Sequence, residues 1–174
     1  MEEIEITRKW MRLLLSSLVV ILLVGCSSKE EQIAEGLENA KVIFQDDAEM
    51  PNDKVNDTKI FLPSGFSIED ADESNILLTK GKDSYVLFIN PNELPTSQLY
   101  YDLMLADTNL KIVEKSTFEQ NERFGFAAVI EKSEEKYELI TSIGGMKLTT
   151  ISKESEIASN LEKMMMIVRS ISID

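Results

Sequence analysis

Three short stretches of this chain carry side chains with the spacing for chemistry. Ser133-Glu134-Glu135-Lys136 has the S-x-x-K form in which a lysine activates a serine nucleophile. Glu69-Asp70-Ala71-Asp72-Glu73-Ser74 gathers carboxylates of the kind that bind hard cations, and Met164-Met165-Met166, with Met104 and Met146, offers the soft thioethers that suit Cu(I). Each has a simpler reading. The Ser-Asp-Asn and Lys-Thr-Gly motifs that accompany the serine-lysine pattern are absent, and Ser133 to Lys136 falls where a hairpin needs its turn. The acidic cluster lacks the glycine and the spaced glutamate of a calcium loop, which makes it a solvated turn. Consecutive helical residues point about 100° apart, so three adjacent methionines cannot face one ion; two in the core and one partly exposed is the expectation.

Composition removes other classes of chemistry. The 174 residues include one cysteine and no histidine, which excludes a Ser-His-Asp triad, a Cys-His pair, an HExxH zinc site, a CxxC pair and an internal disulfide. A formal net charge of −13 opposes nucleic-acid binding. No P-loop, GxGxxG or GxSxG sequence is present. Asn56-Asp57-Thr58 has glycosylation spacing and reads most simply as loop. A carboxylate-dependent hydrolase needs two acids at a set separation, and for sugars also stacking aromatics; the only tryptophan, Trp10, lies in the N-terminal segment. No catalytic residue, metal ligand or cofactor is assigned.

The single cysteine has an informative position. Arg8, Lys9 and Arg12 precede an apolar run, LLLSSLVVILLV over residues 13–24, and Gly25 and Cys26 follow. The run is short of the roughly 20 apolar residues a spanning helix needs and has signal-peptide proportions. Leu23-Val24-Gly25-Cys26 resembles the lipobox of bacterial lipoproteins, with Val24 a mild departure. That resemblance implies a diacylglyceryl thioether on Cys26 and cleavage between Gly25 and Cys26. It also implies anchoring on the extracytoplasmic face of the cell membrane, since two acyl chains suffice for stable attachment. The alternatives are an uncleaved single span or a buried free thiol. Glu2, Glu3 and Glu5 are unusual in a signal n-region, and Met11 would be a more ordinary start.

Residues 1–25 are thus read as signal peptide, 26–57 as a lipidated cysteine plus acidic tether, and 58–174 as one globular domain. Residues 27–57 carry nine acids against three lysines. As a flexible chain they would span roughly 30 Å. Their first half, 29–44, has helical character. Ser28 and Glu31 form a capping box, and Ile33, Leu37, Ala40 and Phe44 make a stripe that could pack on the domain, meet a partner or lie on the membrane. Gly36 weakens such a helix by about 1 kcal/mol. Residues 45–57 are expected to be loop, and a chain starting near Val55 is expected to fold alone.

From Thr58 the pattern becomes short runs of β-branched and aromatic residues. Strands are expected at 59–62, 66–68, 75–79, 85–90, 110–118, 123–132, 136–143 and 147–152, with an antiparallel meander over the last four. Helices are expected at 97–107 and 154–168. The first has Thr96 or Ser97 as N-cap, with Leu99, Leu103, Ala106 and Leu110 on one face and Tyr100 and Met104 on another. The second buries Ile157, Leu161, Met164 or Met165, and Val168. Ser170-Ile171-Ser172-Ile173 alternates as an edge strand does. The fold class is α+β, an antiparallel sheet packed with helices.

Phe61-Leu62-Pro63-Ser64-Gly65-Phe66-Ser67-Ile68 and Met166-Ile167-Val168-Arg169-Ser170-Ile171-Ser172-Ile173 resemble the opening hairpin and the closing helix-and-strand of the PsbP-like family. The resemblance implies a three-layer α-β-α sandwich and a protein that binds, docks or assists assembly. The expected function is a lipid-anchored, non-catalytic binding or accessory protein with an envelope protein or wall component as partner; a small carboxylate-dependent hydrolase and a solute or metal capture lipoprotein are the alternatives.

Overall fold

Helix α1 (Lys29–Gln45) begins where the Ser28-x-x-Glu31 pattern places it. The Ser28 hydroxyl accepts from the Glu31 N–H at 3.2 Å, and the Glu31 carboxylate accepts from the Ser28 N–H at 2.9 Å, satisfying two orphan donors of the first turn. Ile33, Leu37, Ala40 and Phe44 are all buried, while Glu30, Glu31, Glu35 and Glu38 face solvent. The computed structural model describes residues 28–173; the segment read as signal peptide, and Cys26 with it, lies outside the described residues.

A domain boundary at residue 57 does not hold against this packing. The acidic composition that gives residues 27–57 the look of a tether belongs to the exposed side of α1, and the stripe on its other side joins the main hydrophobic core. Its principal neighbour is α3 (Ile157–Ser170), which runs parallel to it. Gln32 Oε1 lies 3.5 Å from the Ala158 N–H at one end, and Arg169 donates to the carbonyls of Phe44 and Asp46 at 3.3 and 3.1 Å at the other. Between these ends sits Gly36. A Cβ there would stand 2.9 Å from Leu161 Cδ1 and 3.0 Å from Ala158 Cα, so the residue that weakens the isolated helix is the one that lets the two helices close.

The strands are β1 (Asp53–Val55), β2 (Thr58–Ile60), β3 (Phe66–Ala71), β4 (Asn75–Lys80), β5 (Asp83–Ile89), β6 (Lys111–Gln120), β7 (Arg123–Ser133), β8 (Lys136–Ile143), β9 (Met146–Lys153) and β10 (Ser172–Ile173). Seven of them form one antiparallel sheet in the order β3-β4-β5-β9-β8-β7-β6. The expected meander is present as β6 to β9. The β5–β9 pairing joins it to the β3-β4-β5 hairpins. Residues 53–55, expected to be loop, pair with β2 across the Asn56-Asp57 turn, where Asn56 has φ of 52°. The closing strand β10 pairs with the other side of β2.

Short helix α2 (Leu99–Ala106) carries the chain from β5 to β6 over the opposite face of the sheet. Of its two apolar faces, one is buried. Tyr100 and Met104 are buried, whereas Leu99 and Leu103 are 37% and 57% exposed. The sheet offers aromatic rings on this side, so the tyrosines turn inward: Tyr100 meets Phe88 edge-on at 5.9 Å, and Tyr101 meets Phe124 and Phe126 at 5.8 and 5.4 Å. The helix also starts later than 97. Ser97 accepts from the Leu99 N–H at 3.2 Å and donates to Glu93 at 2.5 Å, which spends its hydroxyl just ahead of the first turn.

Strand β7 is buried continuously from Phe124 to Ile130 because both faces of the sheet are covered. Ala127 and Val129 pack toward α1 and α3, and Phe124, Phe126, Ala128 and Ile130 toward α2. The architecture is therefore α+β in three layers, with two helices on one face and one on the other. On α3, Met164 and Met165 are fully buried and Met166 is partly exposed, which answers the methionine run with packing.

A buried polar chain ties α3 to the sheet. The Tyr85 hydroxyl donates to Asn160 Oδ1 at 3.0 Å, Asn160 Nδ2 donates to Ser152 Oγ at 2.9 Å, and Ser152 donates to the Lys153 carbonyl at 2.9 Å. Burial pushes the Tyr85 hydroxyl up to about 12, and the charges of Asp83 and Glu156 act in the same direction.

Two outcomes follow from this packing. A chain beginning at Val55 loses the burial of Ile33, Leu37 and Phe44, on the order of 6 kcal/mol at about 2 kcal/mol each. That is comparable with a domain's whole stability. It should show no cooperative transition in urea, whereas a chain beginning at Ser28 should; cooperative unfolding of the shorter chain would return α1 to the status of a tether. The raised Tyr85 pKa means the unfolded chain releases its proton first, so stability present below pH 10 is lost as pH rises toward 12. Tyr85→Phe should flatten the alkaline fall of urea midpoints without abolishing it, because Tyr100 and Tyr137 are raised by burial as well.

Candidate recognition surface

One face of the sheet is covered by α1 and α3 and the other only in part by α2, which leaves Val86 and Ile151 exposed on β5 and β9; the hollows of the surface lie at the ends of the strands. At one end stand the 80–83 turn, the 133–136 turn and the 3₁₀ turn Glu154–Glu156, together with the start of α1. At the other stand the 72–74 turn, the 90–98 loop, the tight 121–122 turn, the Gly144-Gly145 turn, β10 and the end of α1.

The second end holds a groove. Two adjoining hollows of about 260 and 210 Å³ meet at the last strand and share Ile89, Pro91 and Ile173. Val55, Ile76 and Met146 extend the apolar floor, and Asn56, Asp57, Asp72, Glu73 and Glu93 form an acidic and amide-bearing rim. A third, more polar hollow of about 380 Å³ lies between Gln98 and the 121–122 turn, whose Asn121 and Glu122 both have positive φ.

The groove wall is fixed by backbone contacts. The Ile89 N–H donates to Ser74 O and the Asn90 N–H to Gly145 O, each at 2.8 Å. The Phe124 N–H donates to Pro95 O and the Gly144 N–H to Phe124 O, each at 2.9 Å. The 90–95 loop lies directly on the Gly144-Gly145 turn. A Cβ at Gly144 would come within 2.7 Å of Leu94 O and 2.8 Å of Pro95 Cα, and its φ of 52° independently favours glycine.

Strand β10 is placed by Ser170, the last residue of α3. Its hydroxyl accepts from the Phe61 N–H at 2.8 Å and donates to Ile167 O at 2.7 Å. Asn52 clamps the same corner by accepting from the Leu62 N–H and donating to the Leu62 carbonyl, at 2.8 and 3.0 Å.

The stretches singled out for chemistry are not brought together. Ser133 and Lys136 are exposed cross-strand partners flanking the Glu134-Glu135 turn, where Glu135 has φ of 63°. In the acidic cluster, Asp72 accepts from the Ser74 and Asn75 N–H groups at 2.8 and 2.7 Å and from Asn75 Nδ2 at 3.1 Å. These bonds, backbone first, hold its carboxyl below the usual carboxylate range. The carboxylate is therefore engaged in shaping the β3–β4 turn beside the groove. Among the described residues no three or more carboxylate and thiol side chains converge as a metal ion would require.

Sequence reasoning missed the groove itself. Pro91 and Pro95 in the PNELP stretch signal a loop, and the Ser-Ile-Ser-Ile alternation signals an edge strand. Their meeting across some 80 residues has no local signature.

Because the folded Asp72 holds its proton less tightly than the unfolded chain does, its contribution is present above the ordinary carboxylate range and lost as pH falls through and below it. Asp72→Ala should lower the urea midpoint slightly at pH 7 and reduce the loss between pH 5 and pH 3. An unchanged acid limb would remove the turn bonds from the account.

No family model and no curated protein sequence matches the chain. Two solved structures are similar to it in shape. One is the solution structure of cyanobacterial PsbP (CyanoP) from Synechocystis sp. PCC 6803, with a TM-score of 0.42 and 7% identity, covering 73% of this chain and 98% of that one. The other is a crystal structure at 1.50 Å from Bacteroides thetaiotaomicron VPI-5482, with a TM-score of 0.36 and 10% identity, covering 68% of this chain and 45% of that one. The chain thus spans less than half the length of the second.

Proposed function

We propose that this protein is a lipid-anchored, non-catalytic binding or accessory protein on the extracytoplasmic face of a bacterial cell membrane. On this reading it is held by a diacylglyceryl group on Cys26 and recognises an envelope protein or wall component with its folded surface. The observation that carries the anchoring is Leu23-Val24-Gly25-Cys26 directly after a basic flank and an apolar run of signal-peptide length.

Recognition rather than turnover is supported by the shape and chemistry of the groove. The groove is divided into two open hollows of about 260 and 210 Å³, each of a size that suits one or two protruding side chains of a partner. An apolar floor within an acidic rim favours an apolar side chain flanked by cations.

Cys26→Ala should release the protein from membranes or leave an unprocessed precursor, read by fractionation and by incorporation of labelled fatty acid. Undiminished lipid labelling and membrane retention in the variant would sink the anchoring.

A further inference from the structure

Lipidation of Cys26, on which this step rests, has a geometric consequence because α1 is part of the core. We propose that the anchor is a short, stiff mount, so that the body stands directly on the lipid headgroups on one defined end and holds the groove away from the bilayer on the other. Two peptide units separate Cys26 from the capping residue Ser28, a reach of at most about 7 Å. Ser28 is itself tied into the first turn of α1, and Ile33, four residues into the helix, is already in the core.

The facing end is then determined by the packing. The start of α1 lies beside Val113 and Glu114 of β6 and against the 3₁₀ turn Glu154–Glu156. Strand pairing places the 80–83 and 133–136 turns at this same end. The other end of α1, 17 residues and therefore about 25 Å away, is tied by Phe44 O and Asp46 O to Arg169, one residue before Ser170 and the groove corner. The groove therefore stands about 25 Å above the headgroups.

Charge is distributed in the same sense. At the end that carries the anchor, exposed Lys82, Lys111, Lys132, Lys136 and Lys153 are balanced by Glu30, Glu31, Glu114, Glu134 and Glu135. The groove end has exposed Asp57, Asp72, Glu73, Glu119 and Glu122, with Arg123 exposed among them. Anionic headgroups repel the second arrangement more strongly than the first.

The test uses the lipidated chain, whose one native thiol is consumed by the thioether, so that a single introduced cysteine is the only labelling site. Lys82→Cys and Glu134→Cys report the anchor end, and Asn92→Cys and Asn121→Cys the groove end. Each carries a fluorophore, in vesicles of phosphatidylethanolamine and phosphatidylglycerol with a headgroup-linked nitroxide quencher. Quenching severalfold stronger at 82 and 134 than at 92 and 121 is expected. A flexible Gly-Ser insert of about 20 residues between Cys26 and Ser28 should erase the difference while leaving vesicle binding intact. Equal quenching at all four positions without the insert, or a difference that survives it, would overturn the mount. Fatty-acid labelling and vesicle co-sedimentation of the same samples separate the cases: lipid present with uniform quenching refutes the mount alone, and lipid absent from Cys26 removes the anchor and the mount together.

Discussion

The parallel contact between α1 and α3 at Gly36 is the constraint on which the rest of this structure depends. A side chain at that position would meet the Ala158 backbone and the end of Leu161, so only a bare Cα lets the helices approach closely enough to share one core. Closing there brings Ile33, Leu37, Ala40 and Phe44 over the sheet, and Phe44 reaches Phe118 at a ring separation of 5.5 Å. Local cost and tertiary gain have opposite signs at this residue. Glycine destabilises an isolated helix by about 1 kcal/mol, while the apolar burial it permits is several times larger.

That contact also decides where the surface has relief. Two helices cover one side of the sheet and α2 with its aromatic partners covers part of the other, leaving Val86 and Ile151 exposed, and the loops build their concave features at the strand ends. The groove end is stiffened by paired backbone groups between the 90–95 loop, the glycine turn and Phe124, and by the Ser170 hydroxyl that sets β10 against β2. A binding surface held in this way loses little conformational freedom on association, which matters most when the contact area is small.

Much of the fold is legible in the amino-acid order because local signals agree with the tertiary outcome. Lys136 to Ile143, rich in β-formers and bounded by the Glu134-Glu135 and Gly144-Gly145 turns, is a strand to the residue. The Ser28-Glu31 box fixes the start of α1, and the angular spacing of Met164, Met165 and Met166 foretells that two of them, not three, enter the core. The failures have one cause in common: composition describes a whole segment, whereas burial is decided face by face. Nine acids in residues 27–57 suggest a solvated tether, yet those on α1 stand opposite an apolar stripe. On α2 both a leucine face and a Tyr100-Met104 face are apolar, and it is Phe88, Phe124 and Phe126 on the sheet that decide for the second. The groove was illegible for a different reason. Its floor joins Val55, Ile89 and Ile173 through strand pairings distant in sequence, and no periodicity encodes them.

The same face-by-face logic bears on how an anchor would act. A flexible chain of 30 residues would let every surface of the body sample the bilayer, and the location of the groove would then have no functional weight. A helix locked into the core by Phe44, Leu37 and Gly36 and begun two residues after the anchored position leaves few orientations to sample. Under the lipid reading of Cys26, the packing that stabilises the domain is then also what decides which of its ends a partner can meet. The effective concentration of the groove for a membrane-neighbouring partner would be set by a fixed height rather than by the reach of a polymer.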